Sequence, residues 1–331
     1  MDLVQIMEDA IVLRGITKSF GDKVAVDNLD VAIPRGTLCG FIGPNGAGKT
    51  TTIRMIMSIL FPDRGEITVL GKASALNAKD RIGYLPEERG LYRKMKVGAF
   101  LKYIGGLKGV ALGRLKSSIP DWLARLGLEG VEGKKCEDLS KGMQQKVQVI
   151  ASLLHAPDLL VLDEPFTGLD PLSTRSLRGL FLEEQQRGAT IIFSTHMMAE
   201  AEQLCERVVM IHQGRKVLDQ SVAEIHTRYD PRSVLFEPLD PAADVGALRS
   251  LPCVISIASH NDAYEIKLAE NANLASAMRD MTAAVAPALL QVRRPTLEDV
   301  FVRIASESSE PGTAQVKEAV ETSIEKERRS R

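Results

Sequence analysis

Residues 43–50 read Gly-Pro-Asn-Gly-Ala-Gly-Lys-Thr, and this stretch decides the fold. It matches the pattern G-x-x-x-x-G-K-[ST], after an apolar segment at residues 37–42 and before apolar residues at helical spacing in residues 49–60. In such a strand, loop and helix, backbone N–H groups surround phosphate oxygens, Lys49 reaches the terminal phosphates and the Thr50 hydroxyl can ligate Mg²⁺. The stretch predicts a phosphate site, and a chance glycine-rich turn is the alternative.

Two adjacent acidic residues follow a second apolar segment. Residues 159–162 are all apolar and predict a buried strand, and Asp163 and Glu164 come directly after it. Beside bound phosphates, Asp163 would hold the magnesium shell, and Glu164 would orient and polarise an attacking water. Taken alone, the pair would also fit an ordinary acidic strand end.

Two further motifs occur along the chain. Residues 139–145 read Leu-Ser-Lys-Gly-Met-Gln-Gln before a long helical pattern, and residues 194–196 read Ser-Thr-His after an apolar segment. With all four motifs the chain resembles the ATP-binding subunits of ABC transporters, whose signature loop reads LSGGQ, whose Walker B strand ends in Asp-Glu and whose switch histidine follows a late strand. The resemblance covers about residues 10–228.

The resemblance implies that ATP and Mg²⁺ are bound. Phe20 lies where the family places an aromatic ring that stacks on adenine, and a core position is the alternative for this residue taken alone. Glu87 lies at the family's Q-loop position, normally glutamine, where a side-chain oxygen faces the metal ion, and a solvated carboxylate is its alternative. His196 would contact the γ-phosphate and hold Glu164 and the water in place.

The resemblance also implies two subunits. Ser140 and Gly142 would donate a hydroxyl and a backbone N–H to the γ-phosphate, whereas Lys141 and Met143 depart from the family's glycine and glutamine. In this family the loop acts on nucleotide bound to the opposing subunit, so a complete site needs two cassettes arranged head to tail. We expect a homodimer with Asp170 at the contact, together with an integral-membrane permease subunit.

The predicted site residues form three overlapping sets. The catalytic set is Lys49, Glu164 and His196, and the metal set is Thr50, Asp163 and Glu87. The ATP-binding set comprises Phe20, Gly43, Pro44, Asn45, Gly46, Ala47, Gly48, Lys49, Thr50, Thr51, Glu87, Ser140, Gly142 and Asp170.

The fold class implied is α/β: a P-loop NTPase ABC cassette with a β-subdomain and a helical subdomain, followed by a small α+β domain. We expect the cassette at residues 1–229, its helical subdomain at about 94–152 with glycine breaks at Gly105, Gly106 and Gly109, and edge strands at residues 208–211 and 216–218. An accessory domain is expected at residues 230–306. Residues 307–331, rich in Glu, Ser, Lys and Arg, predict a disordered tail.

Composition limits the class of protein. The chain has 331 residues and a formal net charge of −1, so no global basic excess favours nucleic acid. Its four cysteines occur singly, and no apolar run reaches the roughly 18 residues that span a bilayer. We therefore expect a soluble protein with reduced thiols, located in the cytoplasm and held peripherally on the cytoplasmic face of the membrane by the permease.

The leading hypothesis is an ATPase subunit that dimerises on ATP and drives a separate permease. Residues 82–92 and 295–301 are similar to a subgroup that serves bacterial exporters of the drug-resistance and sodium-efflux type, which favours export. One alternative is a soluble ABC ATPase that remodels ribosomes or nucleic acid, although one P-loop and the lack of sustained heptads argue against it. The other alternative is a regulatory module that binds ATP without turnover.

Overall fold

A computed structural model describes residues 9–88, 90–230, 232–260 and 263–307 of the chain. The chain divides into two compact units, Met1–Val222 and Ala223–Arg331. The division lies at the start of a helix, Val222–Arg228, whereas the sequence predicts a boundary after Tyr229. The assignment of two separate domains stays a prediction.

The described part of the first unit is a mixed α/β structure. Its strands are β1 (Asp9–Phe20), β2 (Lys23–Pro34), β3 (Leu38–Ile42), β4 (Arg64–Val69), β5 (Ile82–Leu85), β6 (Leu159–Asp163), β7 (Thr190–Thr195), β8 (Arg207–His212) and β9 (Arg215–Ser221). Its helices are α1 (Lys49–Ile56), α2 (Val97–Leu107), α3 (Leu112–Arg125), α4 (Lys141–Leu153), α5 (Pro171–Gln186) and α6 (Met198–Leu204), and α7 (Val222–Arg228) crosses the division.

The main sheet has the strand order β5-β6-β7-β3-β8-β9. All neighbours are parallel except β8 and β9, which are antiparallel. The strands β3, β6 and β7 are buried at every residue, as expected for central strands of a parallel sheet. The prediction of two edge strands is wrong for β8, because β8 pairs with β3 as well as with β9; of the two strands, β9 lies at an edge of the sheet.

A second sheet, with the order β2-β1-β4, is antiparallel. Its inward side chains share one apolar core with α1 and with the main sheet, and this core includes Ile11, Ile53 and Phe41. The helix after the phosphate loop is therefore held from both sheets. This helix ends at Ile56, four residues before the predicted end, and Ser58 beyond it takes a positive φ of 56°.

The helical subdomain consists of α2, α3 and α4. Gly105 and Gly106 lie inside α2, so the prediction that they break the helix is wrong. A Cβ atom on Gly105 would lie 2.4 Å from Leu115 Cδ2, so α2 packs closely against the Leu115 side chain of α3 at this glycine. Only Gly109, with a φ of 80°, lies at the predicted interruption.

The elements of the second unit are β10 (Ser233–Pro238), β11 (Val254–His260), β12 (Ala263–Leu268), α8 (Leu274–Ala284), β13 (Pro287–Arg293) and α9 (Leu297–Glu307). Its four strands form an antiparallel sheet with the order β11-β12-β10-β13. The core includes Phe236, Ile266 and Met281, which agrees with the expected small α+β structure. The helix α9 extends through Glu307, one residue into the predicted tail, and residues 308–331 lie outside the described residues.

Across the described ranges, every helix is too short or too polar to cross a membrane.

The packing of β5 against α4 gives a stability prediction. A Cβ on Gly83 of β5 would lie 2.2 Å from the Ser152 carbonyl oxygen and 2.8 Å from Leu160 Cδ1. We expect Gly83→Ala to lower the free energy of unfolding by about 1–3 kcal/mol, because the backbone must shift to admit the methyl group. Urea denaturation of the full chain, followed by the midpoint of the transition, measures the change.

Gly179→Ala is the matched control. Gly179 lies in the middle of α5, is exposed, and a Cβ there would meet no atom within 4 Å. This variant should raise the free energy of unfolding by about 0.5–1 kcal/mol through helix propensity. Equal midpoints for the two variants would contradict the packing of Gly83.

Candidate active site

Three of the four motifs, together with Glu87, meet at one edge of the main sheet. The phosphate loop follows β3, the acidic pair ends β6, and the segment 194–196 ends β7. Glu87 comes two residues after β5. These four strands are parallel and adjacent in the order β5-β6-β7-β3, so their carboxyl ends lie side by side.

Two glycines of the phosphate loop have no substitute. Gly43 and Gly48 take φ values of 150° and 108°, in the region that side-chain-bearing residues avoid. A Cβ would lie 2.1 Å from the Ile211 carbonyl oxygen at Gly43, and 2.5 Å from the Ala25 carbonyl oxygen at Gly48. The loop therefore passes so close to β8 and β2 that only glycine fits.

Lys49 is the first residue of α1, and its side chain is buried. Its ammonium donates hydrogen bonds to the carbonyl oxygens of Gly43 at 2.8 Å and Pro44 at 3.2 Å, and it lies 3.9 Å from Glu164 Oε1. Burial lowers the pKa of Lys49, and the nearby carboxylates, Glu164 first, act against that shift. A cation is thus held at the base of the loop.

An open cleft of about 410 Å³ surrounds this ammonium. Phe20 forms part of its wall with half of the residue exposed, so the alternative that Phe20 is a core residue is wrong. Lys18 Nζ lies 5.8 Å from the centre of the Phe20 ring. The residues that line the cleft are Phe20, Lys23, Ala25, Asn45, Gly46, Gly48, Lys49, Thr50, Thr51, Glu87 and Glu164.

Three oxygen-bearing side chains meet on one side of the cleft. Thr50 Oγ1 lies 3.2 Å from Asp163 Oδ1 and 3.3 Å from Glu87 Oε2. Burial raises the pKa of Asp163, whereas hydrogen bonds from Ser194 and Thr50 lower it. Within the described residues, Asp163 Oδ2 is buried without a hydrogen-bond partner. Such an oxygen beside a hydroxyl and a second carboxylate fits a hard divalent cation such as Mg²⁺.

Glu164 is held by backbone and side-chain bonds. Its φ is 50°, and its N–H lies 3.2 Å from the Ser194 carbonyl oxygen and 3.1 Å from Ser194 Oγ. Its Oε1 accepts a hydrogen bond from the His196 N–H at 3.2 Å and lies 3.0 Å from His196 Nδ1. The structure thus brings Lys49, Glu164 and His196 together through this single carboxylate oxygen.

Ser194 joins the two acidic residues, although the sequence motifs by themselves give it no role. It is fully buried, it is the direct partner of Asp163 in the pairing of β6 and β7, and its Oγ donates to Asp163 Oδ1 while accepting from the Glu164 N–H. A serine directly after the buried apolar residues Ile191, Ile192 and Phe193 is the signal that could have identified it, because a buried hydroxyl needs partners.

The signature loop lies apart from the described lining of the cleft, to which Ser140 and Gly142 do not contribute. Ser140 begins α4, and its Oγ accepts from the Met143 N–H at 3.3 Å. A Cβ on Gly142 would lie 3.6 Å from the Gly168 carbonyl oxygen. Gly168 lies two residues before Asp170, and Asp170 is the N-cap of α5. The segment that leads into α5 is therefore close to the signature loop.

Comparisons with known proteins agree with these motifs. The family model described as ABC transporter matches residues 26–167. An uncharacterized ABC transporter ATP-binding protein, YhaQ of Bacillus subtilis (strain 168), is 37% identical over 287 residues, which are 87% of this chain and 95% of YhaQ. The Nod factor export ATP-binding protein I of Rhizobium sp. (strain N33) is 34% identical over 91% of this chain and 98% of its own length.

A solved structure supports the same fold. The protein cbiO1 from Clostridium perfringens, described as part of the ABC transporter complex cbiONQ, is 25% identical, with a TM-score of 0.59. The match covers 67% of this chain and 92% of cbiO1.

The bridging hydroxyl of Ser194 gives a prediction. We expect Ser194→Ala to lower kcat for ATP hydrolysis about 10- to 100-fold while the KM for ATP changes much less, because Asp163 and Glu164 lose their common hydrogen-bond partner. Steady-state phosphate release at varied ATP concentration separates the two constants.

Ser152→Ala is the matched control, since Ser152 is also buried and its Oγ donates one hydrogen bond to the Val149 carbonyl oxygen within α4. Its kcat should stay near that of the wild type. If both variants behave alike, Ser194 has only a structural role.

Proposed function

The chain belongs to the ATP-binding subunits of ABC transporters, which are ATPases coupled to transport, and from this premise we propose that it works in a pair that closes on Mg·ATP and drives a membrane permease. One observation carries the chemical part of the proposal: Glu164 Oε1 lies 3.9 Å from Lys49 Nζ and 3.0 Å from His196 Nδ1. A carboxylate in this position is suited to activate a water beside the terminal phosphate.

The phosphate loop binds the nucleotide. Its backbone N–H groups and the start of α1 take the phosphate oxygens, and the Lys49 ammonium moves its hydrogen bonds from the Gly43 and Pro44 carbonyl oxygens to the terminal phosphates. Phe20 offers a flat ring at the cleft wall for the adenine. Asn45 and Ala47 belong to the same loop, and Thr51 follows it in the first turn of α1.

Thr50, Asp163 and Glu87 are proposed to hold Mg²⁺, which supplies positive charge that offsets the negative charge of the phosphates. Asp163 keeps one buried oxygen without a partner among the described residues, which supports this assignment. Glu87 stands where the family has glutamine, so the proposed metal site has two carboxylates instead of one. The second negative charge makes the site favour a cation over a neutral ligand.

Glu164 is proposed as the base, with its carboxylate accepting the proton of the attacking water. His196 holds that carboxylate through its backbone N–H and its ring, so the oxygen stays directed at the water. Lys49 and His196 then stabilise the charge of the transition state on the phosphoryl oxygens.

Two subunits complete each site in this proposal. Ser140 and Gly142 do not line the described cleft of their own chain, which supports a role on nucleotide held by a second copy, with Asp170 at the contact. The description of cbiO1 as part of a transporter complex supports a permease as the other partner. The chain would then act at the cytoplasmic face of the membrane.

Export is proposed as the direction of transport. The support is the Nod factor export protein, which matches over almost its whole length. The transporter names of the relatives do not favour a soluble ATPase that remodels ribosomes or nucleic acid. Residues 230–306 would serve as an accessory domain of the subunit.

The proposed base can be tested directly. We expect Glu164→Gln to bind ATP with an affinity near that of the wild type and to lower kcat by about 10²- to 10⁴-fold, because an amide cannot accept the proton of the water. Single-turnover hydrolysis and equilibrium binding of a fluorescent ATP analogue measure the two quantities.

Glu129→Gln is the control for the loss of one carboxylate, since Glu129 is exposed and has no described ion pair. It should hydrolyse ATP at the wild-type rate. Wild-type turnover in folded Glu164→Gln would remove Glu164 from the mechanism.

The shared site can be tested with mixed dimers. Ser140→Arg and Lys49→Ala chains should each be inactive alone, because every composite site then lacks the signature serine or the lysine. Mixing them should restore partial ATPase activity, since one of the two sites in a mixed dimer has both residues intact.

Lys49→Ala mixed with the double variant Ser140→Arg/Lys49→Ala is the matched control, because no intact site can form. Demonstrated mixed dimers without recovered activity would count against a site built from two chains.

A further inference from the structure

Phe20 is the last residue of β1, and β2 holds this end of the strand irregularly. Between Lys18 and Ser19 the register of the pairing shifts, so that β2 contributes one extra residue, a β-bulge. Half of the Phe20 residue is exposed, so apolar packing fixes only part of it. A hairpin end with a single, irregular partner strand is weakly held. The position of the Phe20 ring therefore depends on contacts from outside the hairpin.

On the other side of β1, the side chain of Asp63 takes the place of a strand that has ended. The pairing with β4 ends where Thr17 lies opposite Arg64. The Asp63 N–H donates to the Thr17 carbonyl oxygen at 2.8 Å, and the Ser19 N–H donates to Asp63 Oδ2 at 2.7 Å. The carboxylate thus supplies the acceptor that a backbone carbonyl of a longer β4 would supply.

Asp63 also fixes the side chain of Lys18. Lys18 Nζ donates to Asp63 Oδ1 at 2.7 Å. Lys18 and Phe20 are two residues apart on β1, so their side chains project from the same face of the strand. The Lys18 ammonium lies 5.8 Å from the centre of the Phe20 ring, within the range of cation–π attraction. One carboxylate therefore holds both the backbone before Phe20 and the cation beside its ring.

These contacts lie outside the nucleotide cleft. Of the three residues, Phe20 belongs to the described lining of the cleft, and Lys18 and Asp63 do not. Hydrogen bonds from Lys18 and from the Ser19 N–H lower the pKa of Asp63, so its carboxylate carries a charge at neutral pH. The contacts described above connect Asp63 to the cleft through Phe20.

We propose that Asp63 is a positioning residue for the base of the nucleotide, because it holds Lys18 and the end of β1 so that the Phe20 ring is ready to stack on adenine. This inference rests on the proposed function, in which Phe20 contacts the adenine. Its consequence is selective. Binding of ATP should depend on Asp63, whereas binding of inorganic tripolyphosphate, which has phosphates but no base, should not.

Asp63→Ala removes both contacts and tests the proposal in the full chain. We expect the KM for ATP to rise about 3- to 10-fold with kcat nearly unchanged, because part of a base-stacking interaction is lost equally from the ground state and the transition state. The inhibition constant of Mg·tripolyphosphate should stay at the wild-type value. Steady-state ADP formation at varied ATP and tripolyphosphate concentrations gives all three constants.

A double-mutant cycle shows whether Asp63 acts through Phe20. Phe20→Ala alone should raise the KM for ATP about 10- to 100-fold, as expected for the loss of a ring that stacks on a base. Adding Asp63→Ala to Phe20→Ala should change the KM no further, since no ring is left to position.

Asp158→Ala is the matched control. Asp158 is exposed to the same degree as Asp63, 46% against 45% of the side chain, and it also pairs with a cation, Arg81. This variant should keep the wild-type KM for ATP. Lys18→Met is a second test variant, which keeps the bond from Ser19 to Asp63 but removes the ammonium, and it should raise the KM about 2- to 5-fold.

A wild-type KM for ATP in folded Asp63→Ala would overturn the inference and leave the proposed function intact. A matching rise in the inhibition constant of tripolyphosphate, or a further rise of the KM in the Phe20→Ala background, would also overturn it, because the effect would not run through the base. If Asp63→Ala does not fold, Lys18→Met decides by the same criteria. An unchanged KM in Phe20→Ala would instead contradict the adenine contact of the proposed function, and the inference with it.

Discussion

The parallel register of β5, β6, β7 and β3 is the constraint on which the site depends. Parallel neighbours present their carboxyl ends at one edge, and the pairing of Asp163 with Ser194 aligns the last residue of β6 with the penultimate residue of β7 there. A shift of one residue would turn Asp163 to the other face of the sheet. The hydrogen bonds of the sheet thus set the position of Glu164 relative to Lys49, two residues that are far apart in the sequence.

The electrostatics of the site explain why it needs a cation with its nucleotide. One buried ammonium, Lys49, lies among the carboxylates of Glu164, Asp163 and Glu87, and backbone carbonyl oxygens take its hydrogen bonds. Phosphate groups would add to this excess of negative charge, and Coulomb repulsion is strong in a partly buried cleft. A divalent ion beside Asp163 would offset that repulsion, while Lys49 serves the terminal phosphates.

Hydrogen bonds from α4, the helix that follows the signature loop, connect it to the segment after the acidic pair and to the segment before the signature loop. Gln145 of α4 donates to the Pro165 carbonyl oxygen, directly after the acidic pair, and Gln144 donates to the Cys136 carbonyl oxygen. The Cys136 N–H in turn donates to the carbonyl oxygen of Met95, two residues before α2 begins. The helix α4 is therefore hydrogen-bonded to Pro165, the residue after the acidic pair, and to Cys136, which is itself bonded to Met95.

The sequence by itself determined the family, the phosphate loop and the acidic pair, because their chemistry depends on neighbours along the chain. It also predicted most strands, since buried parallel strands are continuous apolar runs. Only the tertiary structure decided that β8 is internal, that Gly105 packs inside α2, and that Phe20 lines the cleft. The role of Ser194 could not be predicted from the sequence either, because its partner Asp163 is 31 positions away and becomes its neighbour only when the sheet forms.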